Sequence, residues 1–374
     1  QDLKNNILIN TNEIPANGID DDNNGKIDDY YGFNFFSNYG SGMDDNGHGT
    51  HCAGIIAANG KLTGVAPNVK ILPIKFLDHY GRGDVAGAIE AINYSIERGA
   101  RILSNSYGTP NSNQAFEEAI RFAQENNALF FAAAGNAKND NDLRGEYPAN
   151  YPLQATISIG ASGQNSTKAE FSNYGHMSVD LFAPGVQILS TEPNNQYKSR
   201  SGTSMATPMA AGLAALVWSQ TQNLSNFEVF NKLKSSSVSN SQLYGLSRTP
   251  GIINANNSIR EITPPEYSPL PRSQVKTMPY SLQSDSPYEN NANKAYKLSM
   301  EEGEKISIHF SDIDIENGYD YLQIEDQNGK ILKKLTGGFK PSQTQFFDTS
   351  ELNLRIISDG TKTGRGFSID KIKI

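Results

Sequence analysis

The chain has 374 residues, which predicts two or three domains, and its 37% hydrophobic content suits a soluble chain with a sizeable core. Its net charge of -8 disfavours nucleic acid as a partner. Cys52 is the only cysteine, so no internal disulfide can form, and no apolar run is long enough to cross a bilayer. No signal peptide is visible at Gln1, so we expect a mature, processed product.

An acidic segment, residues 18–29, comes before the first predicted helix. Its ligand positions recur at every second residue, as in loops that wrap Ca²⁺: Asp20, Asp22, Asn24, Lys26 and Asp28. Gly25 permits the sharp turn of such a loop, but Tyr31 stands where an EF-hand has its last glutamate. The spacing predicts a structural calcium ion, and the alternative is a solvated acidic loop.

His48 and His51 lie in the segment D-N-G-H-G-T-H-C-A-G, residues 45–54, whose small residues favour the start of a helix. Either imidazole could serve as a general base. Cys52 follows His48 by about one helical turn. We expect Cys52 to be a small buried residue, and the alternative is a thiol close enough to the site to make the protein sensitive to mercury.

Predicted strands and helices then alternate along the chain. The apolar patterns indicate a turn and a buried strand in residues 64–75, helices at 84–99 and 114–126, and strands at 102–106, 128–134 and 156–160. This alternation predicts an α/β fold, a doubly wound and mostly parallel sheet with helices on both faces. The active site of such a sheet lies at the carboxyl ends of its strands.

Asn136 and Ser204 stand at the ends of two further predicted elements. Asn136 ends the buried run A-L-F-F-A-A-A-G-N, and Ser204 lies in S-G-T-S-M-A-T-P-M-A-A, which reads as a tight turn that opens a buried helix. The N-terminus of a helix favours developing negative charge, although Ser204 taken alone could be a simple N-cap. Together with His48, these residues supply the nucleophile, base and amide donor that acyl transfer requires.

These three motifs resemble those of the subtilases, the subtilisin-like serine peptidases, over roughly residues 1–260. The resemblance implies a serine endopeptidase that acts on protein or peptide substrates, with no organic cofactor. It assigns the base to His48, leaves His51 structural, and forms the oxyanion hole from the Asn136 amide and the Ser204 N–H. It also implies a secreted or cell-surface protein, matured by removal of a signal and a propeptide.

The resemblance further implies two segments that pair with the backbone of an extended substrate and a third beside the oxyanion hole. Their residues are Gly81, Arg82, Gly83, Ser106, Tyr107, Gly108, Ala134 and Gly135. Glu146 immediately precedes Tyr147-Pro148, where subtilases line the floor of the pocket for the residue before the cut. A carboxylate there would prefer Lys or Arg, and the alternative is a glutamate that faces outward.

The family's first triad residue, an aspartate, has no match in the chain. Gln1-Asp2-Leu3 resembles the end of the segment that carries it, so we expect that aspartate about eight residues upstream of Gln1 and reject Asp2 as a substitute. A cleaved N-terminal fragment that stays bound could supply it. Residues 1–374 are therefore expected to be inactive alone.

Residues 261–272 are proline-rich and predict a semi-rigid linker between a catalytic domain, residues 1–260, and a second domain, residues 273–374. Alternating apolar residues predict strands of a β-sandwich at 306–310, 319–325, 330–335 and 352–357. Two segments, F-S-D-I-D-I-E-N-G-Y-D-Y-L-Q-I and L-R-I-I-S-D-G-T-K-T-G-R-G-F-S-I, resemble a CUB domain without its disulfides. Calcium-binding members of that family imply Glu316, Asp320 and Asp359 as ligands, and the alternative is a purely structural sandwich.

A non-catalytic subtilase-like protein that uses its sandwich for binding or adhesion is the main alternative function. The missing aspartate favours it, whereas the joint presence of His48, Asn136 and Ser204 favours the peptidase. An esterase of the α/β-hydrolase type does not fit, because Ser204 lacks the glycine two residues on and His48 precedes the serine.

Overall fold

The computed structural model describes residues 1–270, 274–300 and 305–374. The helices are α1 (His48–Ala57), α2 (Val85–Glu97), α3 (Gln114–Glu125), α4 (Thr203–Gln220), α5 (Asn226–Ser236) and α6 (Ala255–Arg260). The first eleven strands are β1 (Phe33–Asn34), β2 (Tyr39–Gly40), β3 (Ile74–Lys75), β4 (Ile102–Asn105), β5 (Leu129–Ala133), β6 (Thr156–Ser162), β7 (Leu181–Pro184), β8 (Ile188–Glu192), β9 (Gln196–Arg200), β10 (Val238–Ser239) and β11 (Gly251–Ile252). These elements form an α/β region.

The remaining strands form a separate all-β unit, called the sandwich below. They are β12 (Thr277–Gln283), β13 (Asn293–Ser299), β14 (Ser307–Ile315), β15 (Tyr321–Asp326), β16 (Ile331–Leu335), β17 (Gly337–Phe339), β18 (Ser342–Gln343), β19 (Glu351–Ile357) and β20 (Gly366–Lys373). One sheet has the order β12-β20-β14-β17, with β18 also paired to β14, and the other has the order β13-β19-β15-β16. All these pairings are antiparallel, which confirms the predicted all-β region.

A six-stranded sheet with the order β10-β11-β7-β6-β5-β4 is the centre of the α/β region. Strands β4 to β7 and β11 pair in parallel. Alternate residues of β5 point to opposite faces, as in any strand. Phe131 packs with apolar residues of α4, such as Leu213, while Phe130 packs with residues of α2 and α3, such as Ile92 and Ile120. Helices therefore cover both faces, and the predicted α/β fold is confirmed.

Side-chain caps fix where two of the helices begin. Asp84 accepts a hydrogen bond from Gly87 N at 2.7 Å before α2, and Asn113 accepts one from Phe116 N at 3.0 Å before α3. The predicted helix at residues 84–99 therefore starts one residue later, because Asp84 is its N-cap.

The strand predicted within residues 64–75 is much shorter than expected. Only Ile74 and Lys75 pair as β3, and both are half-buried rather than buried. Pro67 and Pro73 lack the N–H groups that a longer strand would need, which explains the difference. Strand β3 joins a separate three-stranded sheet with the order β2-β1-β3.

The three-stranded and six-stranded sheets of the α/β region, which also contains a β8-β9 hairpin, end close to one another. Within the described part of the chain, β3 pairs only with β1, and β4 pairs only with β5. Phe76 directly follows β3 and Tyr107 lies just beyond β4, and their ring centroids are 4.8 Å apart. The carboxyl ends of two strands that each have one unpaired edge therefore lie near each other.

The sandwich encloses its own apolar core, which includes Phe310, Leu322, Leu354 and Phe367. The four strands predicted in this region are present, with ends that differ by up to five residues. Met177 of the α/β region also lies in the sandwich core and is 2% exposed, so the two parts share buried surface.

Residues 271 and 272 of the predicted linker lie outside the described residues. Across the residues that the structure does describe, no helix has both the length and the apolar character that crossing a membrane requires.

Candidate active site

Ser204 lies in the first turn of α4, at the carboxyl edge of the parallel sheet. Gly202 is the N-cap residue of this helix, so the alternative assignment of Ser204 as a simple N-cap is wrong. The Ser204 hydroxyl donates to Ser106 O at 3.3 Å, and the Ser106 hydroxyl donates to Ser204 O at 2.9 Å. The half-buried Ser204 side chain is thus held beside the end of β4, and its own N–H points out of an unfinished helical turn.

Asn136 reaches the same helix end from the other side. Strand β5 ends at Ala133, and Gly135 adopts a positive φ of 106°, which turns the chain toward α4. The Asn136 Oδ1 accepts hydrogen bonds from Thr203 N at 2.9 Å and Thr203 Oγ1 at 3.1 Å. Among the described residues its Nδ2 has no acceptor, so this amide can donate to a bound oxygen.

Thr203 is a site residue that the sequence analysis missed. Besides Asn136, its hydroxyl accepts a hydrogen bond from Gly135 N at 3.2 Å. Thr203 therefore ties the turn after β5 to the start of α4 and fixes which end of the Asn136 amide faces outward. The position of Thr203 directly before Ser204 is the sequence feature that could have indicated its role.

His48 is the first residue of α1, after Gly47 with φ 97°. Burial lowers the pKa of His48, and the positive charge of Arg200 lowers it further, against the opposing charges of Asp44 and Glu192. The imidazole is therefore neutral near pH 7, as a general base must be. In residues 1–270, 274–300 and 305–374, neither ring nitrogen has a hydrogen-bond partner, and Ser204 Oγ bonds to Ser106 instead.

Cys52 places the His48 helix next to Ser204. It lies four residues after His48, on the same face of α1, and its Sγ is 3.4 Å from Ser204 O. Burial raises the pKa of the Cys52 thiol to about 12, so the thiol stays protonated at neutral pH. His51 is fully buried, and its Nε2 lies 2.9 Å from Lys198 O.

Glu146 lies between two of the predicted substrate segments. A Cβ atom added at Gly108 would come within 2.3 Å of Glu146 Oε1, and one added at Gly135 would be 3.4 Å from Glu146 Cγ. Thr109 and Tyr147, the next residues along, bridge the two segments with hydrogen bonds of 2.8 Å. The side chain therefore points into the space between glycines, and burial raises the pKa of its carboxyl.

The other substrate segments take their shape from polar residues behind them. Ala134 O accepts hydrogen bonds from Asn141 Nδ2 at 2.8 Å and Asn173 Nδ2 at 3.0 Å, and both asparagines are buried. Ala134 and Gly135 thus have a rigid backing that the sequence analysis did not foresee.

Residues 81–83 form a tight turn before α2. Asp78 N donates to Arg82 O at 2.8 Å, and the Arg82 guanidinium binds the Asp78 carboxylate at 2.9 Å. A side chain at Gly83 would approach Phe76 O to 2.5 Å, so only glycine fits there. Asp78 holds this segment together, another role not visible from sequence.

One acidic cluster lies near the predicted calcium loop, but its membership differs from the prediction. Carboxylate oxygens of Glu13, Asp22 and Asp29 lie within 4.8 Å of one another. Asp29 already accepts hydrogen bonds from Tyr94 and Arg98, whereas Glu13 Oε2 is buried and has no partner among the described residues.

Only Asp22 of the five predicted ligands belongs to that cluster. The Asp20 carboxylate accepts from Asn24 N and Gly25 N, and the Asp28 carboxylate accepts from backbone N–H groups at residues 17 and 18. The Asn24 side chain accepts from Lys26 N and donates to Asp29, next to the cluster. The loop thus binds much of its own backbone, and Glu13 supplies the oxygen that the local spacing could not reveal.

A second cluster in the sandwich comprises the three residues that the CUB resemblance implied. Carboxylate oxygens of Glu316, Asp320 and Asp359 lie within 4.8 Å of one another. Burial and the charges of Asp320 and Asp359 raise the pKa of Glu316, and its Oε2 has no partner in the described residues. Tyr288 donates to Asp320 at 2.6 Å, and carboxylate oxygens are the kind of hard ligand that Ca²⁺ prefers.

Two parts of the chain match known protein families. Residues 2–255 match the Subtilase family, and residues 273–370 match the CUB domain. Subtilisin-like protease 1 of Plasmodium falciparum (isolate 3D7) is 34% identical over 284 residues, 69% of this chain and 41% of that protein. This chain therefore matches about two fifths of the length of the Plasmodium relative.

Two further similarities concern the α/β region. Thermitase of Thermoactinomyces vulgaris is 36% identical over 233 residues, covering 61% of this chain and 80% of that protein. The crystal structure of a cold adapted subtilisin-like serine proteinase superimposes with a TM-score of 0.53 at 34% identity, over 60% of this chain and 78% of the other.

Proposed function

The chain belongs to the subtilase family, and we propose that it is a serine endopeptidase in which Ser204 attacks the scissile carbonyl of a protein or peptide. His48 takes the Ser204 proton, which leaves the oxygen free to form an acyl-enzyme. It then returns that proton to the leaving amine. Water, deprotonated by the same imidazole, releases the acyl group.

The arrangement of Asn136 around Thr203 is the observation that carries this proposal. Thr203 accounts for the Asn136 Oδ1, so the Nδ2 is left to donate to the oxyanion together with the Ser204 N–H at the start of α4. Two fixed donors at a helix N-terminus match the charge that develops on the carbonyl oxygen. The family membership supports a serine peptidase, and this geometry supports the individual roles.

We propose that an aspartate on a segment preceding Gln1 in sequence orients His48, either in the same chain or as a bound fragment. The unpartnered imidazole supports this, as does the pair of open edges on β3 and β4. A parallel strand between those edges would end where Phe76 and Tyr107 meet, near Ser106 and therefore near Ser204. On triad precedent, adding that carboxylate should raise the rate by about ten-thousandfold.

We further propose that Glu146 makes the pocket select Lys or Arg before the cut. Its carboxylate lies between Gly108 and Gly135 and has no cationic partner among the described residues. A basic side chain would neutralise a desolvated charge there, whereas a leucine would leave it uncompensated.

Calcium is proposed at the Glu316, Asp320 and Asp359 cluster and at the Glu13 and Asp22 oxygens. The orphaned oxygen on each glutamate supports a cation at both places. The ion would supply structural stability by screening the clustered carboxylates. We also propose an extracellular location, where calcium is plentiful. The chain is proposed to divide into a catalytic domain, residues 1–260, and a second domain, residues 273–374.

Labelling with a fluorophosphonate tests the function directly. We expect one adduct, on Ser204, found by peptide mass spectrometry, in the form that contains an upstream D-[ST]-G segment. Ser204→Ala is the matched control. A folded protein with that segment that neither labels nor hydrolyses peptides would instead support the alternative, a subtilase-like binding or adhesion protein.

A further inference from the structure

Two lysines of the sandwich are buried against the α/β region, and each is paired with an aspartate there. Lys333 Nζ lies 2.7 Å from Asp142 Oδ2 and 3.3 Å from Asp140 Oδ2, while Lys340 Nζ lies 2.9 Å from Asp180 Oδ2. The two lysine side chains are only 12% and 10% exposed. Charges that are buried this deeply must be paired, so both ion pairs are integral parts of the interface.

The Lys333 pair leads to the candidate active site. Asp140 and Asp142 flank Asn141, and the Asn141 amide donates to Ala134 O at 2.8 Å, two residues before Asn136. Burial disfavours the ammonium ion of Lys333, but the charges of Asp142 and Asp140 outweigh it and raise the pKa of Lys333. A positive charge from the sandwich thus holds the turn that supports the oxyanion side of the site.

The same turn also reaches the specificity pocket. Asn150 Nδ2 donates to Asn141 O at 2.8 Å, and Asn150 Oδ1 accepts from Glu146 N at 3.1 Å. Asn141 is 1% exposed, so this connection is shielded from water. Movement of the turn would therefore shift Ala134 and Glu146 together.

The Lys340 pair makes no direct contact with that turn and reaches it only through Arg248 and Met177. Asp180 accepts from Ser158 N at 2.9 Å and from Arg248 at 3.3 Å, and Lys340 also donates to Thr156 O. Thr156 and Ser158 lie in the first half of β6, away from the strand ends where Asn136 stands. Lys340 is thus a matched control: a buried interface lysine, paired with an aspartate, that does not touch the turn.

We propose that Lys333 is a positioning residue, through which the sandwich fixes the turn at residues 140–142 and with it the oxyanion hole and the Glu146 pocket. The catalytic part of this inference rests on the proposed function. Misplacement of reacting groups by about 1 Å costs roughly a hundredfold in rate. We expect kcat/KM to fall by about tenfold or more when Lys333 no longer binds Asp140 and Asp142, mostly through kcat.

The experiment compares K333M, K340M and K333R in the full chain that includes the upstream segment. Hydrogen exchange read by mass spectrometry follows peptides within residues 134–150, and hydrolysis of matched Arg and Leu substrates gives kcat and KM. K333M should speed exchange in these peptides, lower kcat and reduce the preference for Arg. K340M should leave hydrogen exchange, kcat and the preference for Arg unchanged. K333R keeps a positive charge at this position and should retain most of the wild-type behaviour.

The double variant K333M/D142N guards against misfolding, because it removes the buried carboxylate that K333M leaves uncompensated. It should show the same faster exchange as K333M. Equal exchange and equal selectivity in K333M and K340M would overturn the proposal. If the wild type neither labels at Ser204 nor hydrolyses peptides, the proposed function fails, and the exchange comparison still decides whether Lys333 holds the turn.

Discussion

The surroundings of Ser204 and the Glu316 cluster of the sandwich leave different kinds of polar atom without a partner among the described residues. Around Ser204 the free groups are donors, the Asn136 Nδ2 and the Ser204 N–H, together with the neutral imidazole of His48. In the sandwich, the free buried atom in the acidic cluster is an acceptor, Glu316 Oε2. Buried polar groups are normally paired, so the unpaired Glu316 oxygen indicates a bound partner. The Asn136 side chain is exposed, and it is the fixed orientation of its amide that indicates an acceptor there. Free donors suit a developing oxyanion, whereas free carboxylate oxygens suit a cation.

The largest expected effect comes from removing the Ser204 hydroxyl, the proposed nucleophile. Ser204→Ala should lower kcat by about a millionfold, the loss seen for the nucleophile of subtilisin, while the melting temperature stays close to wild type. Cys52→Ala is the control on the adjacent helix. Because burial keeps that thiol protonated, its removal should leave kcat within a few fold. Comparable losses in both variants would contradict Ser204 as the nucleophile.

Removal of the free amide donor should have the next largest effect. Asn136→Ala takes away one of two oxyanion donors, so kcat should fall by about a hundred- to thousandfold, the range measured for that donor in subtilisin, with KM little changed. Steady-state kinetics on a peptide substrate measure the split. A variant that raised KM at constant kcat would show that Asn136 binds the ground state instead.

Glu146→Gln tests the carboxylate that lies between the predicted substrate segments. The ratio of kcat/KM for Arg over Leu substrates should fall by about tenfold, because a neutral amide no longer compensates the guanidinium. In the wild type this ratio should also fall as the pH drops through the pKa of Glu146. Burial raises that pKa, so the loss should occur at higher pH than for an ordinary glutamate. His48 titration affects both substrates alike, so the ratio isolates Glu146, and a ratio that stays constant with pH would exclude it.

The smallest effect concerns the sandwich. Calcium at about one hundred times its dissociation constant should stabilise the folded chain by about 2.7 kcal/mol, observed as a higher melting temperature. Glu316→Gln should reduce that gain, and it should leave kcat unchanged. A similar calcium response in wild type and Glu316→Gln would place the ion elsewhere, with Glu13→Gln as the next variant to examine.

Local sequence patterns predicted the helix starts near His48 and Ser204 and the strand that ends shortly before Asn136. The small residues around His48 and Ser204 indicate the starts of helices. The apolar run before Asn136 indicates a buried strand. The edge strands β12 and β13 were missed because most of their residues are exposed, so only two residues of each strand face the core: Tyr280, Leu282, Tyr296 and Leu298.

What the sequence could not provide are pairings between distant segments. Glu13 and Asp29 join Asp22 through the fold, not through a spacing rule. Thr203 orients Asn136 across 67 positions, and Lys333 meets Asp140 across 193 positions. Such contacts depend on how the sheets pack, which a single sequence does not reveal.

The long sequence separation between Asp140 and Lys333 has a consequence for biosynthesis. A ribosome that has just added Asp140 must add 193 more residues before Lys333 exists, which takes roughly 10 to 40 seconds at ordinary elongation rates. If Lys333 fixes the turn, the catalytic cleft is completed only after the part of the sandwich that carries Lys333 has been translated. Nascent chains would then be poor proteases while they are still crowded together on a polysome, which protects each copy from its neighbours.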